Sequence, residues 1–310
     1  MKKDKDTVYI VILNYNHLDD LKETIHSFLE QDYPNMHIIV SDNGSTDNSV
    51  KWLHKEHPEI TVIENKKNFG WAEGNNVGIR YALKHKADYI LLANNDLSFQ
   101  GPSIITSLIK AYDLIPKLGI IGPSENSYFE KDKIVNQGWI MYPKVKHTFN
   151  KNRSEYTRSD LPSNYKVIDN VSGSFMIIKR RVFEDIGEID GDLFLYAEDA
   201  DFSLRAWKKG WVSLVDADIM IYHKISATSG INSPLKIYYM TRNLIYLIRK
   251  HRDIQSSQRF FTKKYYFDIV KQFIKMSIKS EYRKDRLKRL KALFLGFYHG
   301  AIIKKMGQFY

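Results

Sequence analysis

Four short runs of β-branched and aliphatic residues, separated by three helical patterns, restrict what the first hundred residues of this chain can become. Val8-Tyr9-Ile10-Val11-Ile12-Leu13, His37-Ile38-Ile39-Val40, Ile60-Thr61-Val62-Ile63 and Tyr89-Ile90-Leu91-Leu92 read as strands. Residues 18–31, 49–57 and 71–86 read as the helices between them. Near-continuous apolar strands alternating with helices predict an α/β fold, with a mostly parallel central sheet covered by helices on both faces. Ligands bind such sheets beyond the carboxyl ends of the strands.

Those ends are polar in every case: Asn14-Tyr15-Asn16, Ser41 to Asp47, Asn65 to Gly70, and Asn94-Asn95-Asp96. Any one of these loops is explained by turn formation and helix capping. Four at one sheet edge point to a shared ligand site. At Asp96 two readings stand together. A strand-terminal Asp serves as a turn former or cap, and the same carboxylate suits a hard divalent cation bridged to a diphosphate.

Further along, residues 127–168 are rich in Tyr, Lys, Asn and Ser with weak periodicity, which predicts long loops or an irregular hairpin. Residues 171–178 read as a strand containing Gly173, 180–186 and 198–209 as helices, and 211–221 as extended chain. Glu198, Asp199 and Asp201 crowd the start of a helix, where the macrodipole alone would favour acids. The alternative makes Asp199 a general base, with Glu198 orienting it or binding an acceptor. Arg205 is placed to pair with Asp201 or Glu198. His223 ends an apolar run, either as a hydrogen-bonded edge residue or as an imidazole ligand suited to Mn²⁺.

Charge divides the chain. The whole carries +11, yet residues 236–310 hold 19 Lys and Arg against 4 Asp and Glu, leaving a slightly acidic body. The expected organisation is a globular domain over 1–233, in two halves that meet at about residue 100. A basic amphipathic helical segment follows over 234–310, in which Tyr266, Ile269, Val270, Phe273 and Ile274 recur at helical spacing. Such a segment attracts an anionic membrane surface or another polyanion. A non-enzymatic nucleic-acid-binding protein is the competing reading, but no nucleic-acid-binding motif occurs and none is expected as a partner. There is no cysteine, so disulfides and thiolate sites are excluded. The N-terminal apolar run is too short for a signal peptide or a span, and the expected location is cytoplasmic, peripheral at the inner face of the cell membrane.

Taken together, Ile12 to Asn16, Val40 to Asp47, Asn68-Phe69-Gly70, Asn94-Asn95-Asp96, Glu198-Asp199 and His223 resemble the family 2 inverting glycosyltransferases of the GT-A fold, over about residues 7–250. The resemblance implies a catalytic domain over 1–233 with its donor half to about residue 100 and its acceptor half after it, a nucleotide-sugar donor, a saccharide acceptor that is lipid-linked, and Mn²⁺ or Mg²⁺ as cofactor. By it, Asn14, Asn16, Asp42, Asn68, Gly70 and Asn75 line the nucleotide pocket, with Asp42 accepting from a pyrimidine base. Asn94, Asn95 and Asp96 stand where the family has Asp-x-Asp; here the first Asp is Asn, so Asp96 with His223 would hold the metal. Asp199 becomes the base of an inverting displacement beside Glu198, and Gly173 leaves room for sugar or acceptor. Tyr238 to Asn243 is similar to rhamnosyl-type members, which makes Arg242 a diphosphate contact where an ordinary surface arginine is the other reading. Processive synthases of this fold carry Gln-x-x-Arg-Trp and membrane helices, and neither is found.

Overall fold

The computed structural model describes residues 6–138, 161–224, 233–251, 267–271, 274–278 and 285–301. Chain contacts divide it into two units. The first comprises residues 1–141, 147–194 and 198–225; the second comprises 142–146, 195–197 and 226–310.

In the first unit, β1 (Val8–Asn14), β2 (Met36–Asp42), β3 (Thr61–Glu64) and β4 (Tyr89–Asn94) alternate with α1 (Leu18–Leu29), α2 (Ser49–Glu56) and α3 (Gly70–Lys84). After them come β5 (Leu97–Ser98), α4 (Ile104–Lys110), β6 (Leu118–Ser127), β7 (Ile134–Asn136), β8 (Tyr165–Ile168), β9 (Phe175–Lys179), α5 (Arg180–Ile186), α6 (Glu198–Lys208) and β10 (Val212–His223). The ten-stranded sheet runs β3-β2-β1-β4-β9-β6-β10-β5, with β7 on β6 and β8 on β10. The first four strands are parallel, and so are β6 and β10; β9 lies antiparallel between the two blocks. Asn14 pairs with Asp42 and Leu13 with Asn94, so the polar strand ends share one edge.

One face of the sheet carries the main core. Leu21, Ile25 and Phe28 of α1, spaced to share a helix face, are fully buried with Leu53 and Ile105 over Ile10, Ile12, Leu91 and Ile177. The Phe28 ring lies 5.0 Å from Phe99 and 6.0 Å from Phe175, which joins α1 to β9. On the other face α3 rests on Val11.

Two expectations change. The strand expected from Val171 begins only at Phe175, because Gly173 and Ser174 form a turn with the Ser174 amide 3.4 Å from Ser172 Oγ. The weakly periodic region over 127–168 contributes β7 and β8, which pair with β6 and β10 instead of each other; residues 139–160 lie outside the described residues.

In the second unit α7 (Pro234–Lys250) starts with Ser233 accepting from the Lys236 amide at 3.2 Å and Pro at its first turn. It packs against α8 (Arg286–Ala301), where a Cβ on Gly296 would come within 2.7 Å of the Tyr238 carbonyl. Residues 267–271 and 274–278 are helical, with Ile269 and Met276 buried; Tyr266 and Phe273 lie outside the described residues. No helix among the described residues is long and apolar enough to cross a membrane.

Candidate active site

Asn14, at the end of β1, is fully buried and ties three strand ends together. Its Nδ2 donates to Asp42 Oδ2 at 2.8 Å and to Ser45 Oγ at 3.1 Å, while its Oδ1 accepts from Asn95 Nδ2 at 2.7 Å. Asp42 is also buried, and both its oxygens accept from Ser45, through the backbone amide at 2.8 Å and the hydroxyl at 2.6 Å. Asn16 adopts a left-handed backbone (φ 59°); its Oδ1 accepts from the Thr46 amide at 2.8 Å and its carbonyl from Asn95 at 3.2 Å. Asn14, Asn16, Asp42 and Asn95 therefore form one hydrogen-bonded cluster.

Asn68 prepares the start of α3, since its Oδ1 accepts from the Gly70 amide at 2.7 Å. Gly70 has φ +78°, and a Cβ there would collide with Phe194, whose carbonyl accepts from the Trp71 amide at 2.6 Å. Asn75, one turn into α3, is fully buried; its Nδ2 donates to the Trp71 carbonyl at 2.9 Å and its Oδ1 has no hydrogen-bond partner.

At the end of β4, Asn94 Oδ1 accepts from the Trp71 indole at 2.9 Å. Two residues on, Asp96 Oδ1 sits 3.1 Å from His223 Nε2, an ion-pair distance without an aligned hydrogen bond. The other ring nitrogen, Nδ1, faces Glu125 Oε2 at 3.2 Å. Burial works to lower the His223 pKa, but the close carboxylates of Asp96 and Glu125 outweigh it and push it up to about 10. No three carboxylate or imidazole groups among the described residues are arranged to hold a metal ion together. Asp96 and His223 still fit a divalent cation. The pair offers one oxygen and one nitrogen, the Asp96 oxygen is buried without an aligned bond, and Mg²⁺ and Mn²⁺ sites of this kind take their remaining ligands from phosphate and water.

Glu198 and Asp199 open α6. Glu198 is buried and its Oε2 has no hydrogen-bond partner. Burial first, then the neighbouring Asp199 charge, push its carboxyl up to about 8. Asp199 is also raised by burial, against hydrogen bonds from the Gly173 amide at 3.2 Å and the Ala200 amide at 2.7 Å. The space beside Gly173 is filled: a Cβ there would lie 2.8 Å from the Trp71 ring and 3.4 Å from Asp199 Cβ. Glycine at this position lets the Trp71 ring pack directly against the backbone there. Asp201 belongs to the packing. It takes Arg205 Nε at 2.8 Å, and Arg205 also donates to the Ile186 and Glu188 carbonyls.

Arg242 belongs to the second unit. At 1% exposure it is not a surface arginine; its guanidinium lies over Tyr239 at 4.7 Å and its Nε donates to Asn243 Oδ1 at 2.7 Å. Asn243 in turn donates to the Leu195 and Tyr196 carbonyls at 2.8 and 2.6 Å. Tyr196 and Ala197, both at φ 70°, lead the chain into Glu198.

Two participants escape sequence reading. Trp71 joins Asn94 to Gly173, and Glu125 contacts His223. The signal for Glu125 was present, since Leu118 to Ile121 is one more apolar run and it too ends on polar residues, Ser124-Glu125-Asn126.

The parallel block, its polar carboxyl edge and the helices on both faces define a GT-A glycosyltransferase fold. The solved mannosyltransferase of Pyrobaculum calidifontis, in complex with GDP-Man and Mn²⁺, has that fold and is similar to this chain with a TM-score of 0.59 at 14% identity, over 98% of this chain and 92% of that one. Residues 9–187 match the family profile "Glycosyl transferase family 2", and the chain belongs to this family. It is 28% identical to the dTDP-rhamnosyl transferase RfbF of Shigella flexneri, over 79% of this chain and 80% of that protein. It is 23% identical to the N-acetylglucosaminyl-diphospho-decaprenol L-rhamnosyltransferase of Mycobacterium tuberculosis, over 72% of this chain and 78% of the relative.

Proposed function

We propose that this glycosyltransferase moves a sugar, with inversion, from a nucleotide diphosphate donor to a hydroxyl of a lipid-linked saccharide in surface polysaccharide synthesis. The rhamnosyl relatives favour dTDP-rhamnose as donor, ahead of a UDP-hexose. The carrying observation is a run of contacts from the Asp96–His223 pair through Asn94, Trp71 and Gly173 to Asp199. It gathers the Asp96–His223 pair and the Asp199 carboxylate around one indole.

Asn14, Asn16, Asp42, Asn68, Gly70, Asn75 and Asn95 would shape the nucleoside side. Mn²⁺ or Mg²⁺ held by Asp96 and His223 would neutralise charge on the departing diphosphate. Asp199, its carboxyl raised by burial, takes the acceptor hydroxyl proton as that oxygen attacks the anomeric carbon and the nucleoside diphosphate leaves. Glu198 keeps its proton near neutrality and offers it as a hydrogen bond to the acceptor. The basic C-terminal segment brings the enzyme to the anionic inner face of the membrane, where a lipid-linked acceptor resides.

Thermal melts of the wild type with Mn²⁺ and a panel of sugar nucleotides test the donor site. At least one sugar nucleotide is expected to raise the melting temperature, and no shift with any of them would remove the central claim. Asp199→Asn is expected to lose roughly 10²- to 10⁴-fold in transfer while keeping the nucleotide-induced shift. Wild-type turnover in that variant would place the base elsewhere.

A further inference from the structure

Glu125 has no part in the motifs at the strand ends, yet it is 2% exposed in a strand whose preceding residues Leu118, Ile120 and Ile121 are wholly buried. A carboxylate in such surroundings is costly unless its oxygens are engaged. Both are. Oε2 lies 3.2 Å from His223 Nδ1, and Oε1 accepts from Ser174 Oγ at 2.5 Å. Ser174 Oγ lies 2.9 Å from Ser172 Oγ, and the Ser174 carbonyl accepts from the Asn94 amide at 2.9 Å. Strand register explains the meeting: His223 of β10 pairs with Ser127 of β6, and Glu125, two residues before it, projects from the same face.

An imidazole has two ring nitrogens, and the bond made by one decides where the other points. Here Nδ1 is turned to Glu125, which leaves Nε2 facing Asp96 at 3.1 Å. A free His223 ring would flip about χ2 and lose that direction for half of its rotamers. We infer that Glu125 is a positioning residue: anchored by Ser174, it holds the His223 ring so that Nε2 and Asp96 converge on one divalent cation. Carboxylates behind ligating histidines typically change metal affinity by about 10- to 100-fold. Glu125 touches neither donor nor acceptor in this role and acts only through His223. The inference rests on the proposed reading of Asp96 and His223 as the cation pair.

The test is Mn²⁺ binding to the whole chain, followed by the paramagnetic resonance signal of free Mn²⁺, with no substrate present. Glu125→Ala is expected to bind Mn²⁺ about 10- to 100-fold more weakly than the wild type. Glu125→Gln, which keeps an oxygen toward Nδ1, is expected to recover most of the affinity. A purely structural role would lower the melting temperature of Glu125→Ala and leave its Mn²⁺ affinity unchanged; that result overturns the inference and spares the cation reading. A wild type that takes up no Mn²⁺ overturns both. Where Glu125→Ala does not fold, Ser174→Ala decides, because it releases Oε1: weaker Mn²⁺ binding supports the inference and unchanged binding overturns it.

Discussion

Glu198 and Asp199 are adjacent acids whose carboxyls are both raised by burial, and at Asp199 hydrogen bonds from the Gly173 and Ala200 amides oppose that rise. The Glu198 carboxyl holds its proton up to about pH 8 in the folded chain, whereas in the unfolded chain it loses it near its ordinary value of 4.5. Between those values the native state binds more protons than the unfolded state, so stability falls as pH rises through the window. Glu198→Gln is expected to flatten that fall, by an amount on the order of a few kcal/mol between pH 5 and pH 8. Urea titrations at the two pH values measure it, and an unchanged slope in the variant would remove the raised carboxyl as its source. At this scale the sequence displayed residue types well and environments poorly. The acids of 198–201 were visible, but only the fold separates Asp201, spent on Arg205, from its neighbours. The place of Glu125 at a strand end was visible but its role was not, since its partners His223 and Ser174 are brought to it by strand pairing and not by sequence proximity.

Elements were more legible than side-chain roles wherever one periodicity ran unbroken. β1, α1 and α5 follow their apolar patterns closely, because β1 is a short run buried on both faces and each of the two helices buries one face in the core. The start of β9 did not, since the Gly173 amide turns to Asp199 and the Ser174 amide back to Ser172, which holds both in a turn. The C-terminal helices show what periodicity alone cannot separate. Ile269 and Met276 point inward, while Phe267 is 67% and Ile278 74% exposed; on α8, Leu287 and Phe294 are 81% and 66% exposed, with Lys288 and Lys291 beside them. Outward apolar side chains among lysines suit a lipid interface. The wild type is expected to sediment with vesicles containing phosphatidylglycerol and to be released partly by salt, each basic residue near the surface contributing about 1 kcal/mol. Leu287→Glu with Phe294→Glu should cut that binding several-fold without loss of fold. Failure of the wild type to sediment even at low salt would defeat the membrane reading.

For the molecule as a whole, the parallel block and its polar carboxyl edge follow from the alternation in the first hundred residues. The second half of the sheet does not, because β9 enters antiparallel and joins strands far apart in sequence, a pairing no local pattern announces. That inserted strand also sets an order of events during synthesis. β4 ends at Asn94 and has its outer edge satisfied only by β9, which begins at Phe175. Until the ribosome has delivered Phe175 to Lys179, the apolar edge Tyr89-Ile90-Leu91-Leu92 stands open to any other nascent strand. A chain ending near residue 170 should therefore collect in the insoluble fraction, and one carried through the second β-α half should not. A soluble, monomeric short chain would show that the edge is guarded by some other segment.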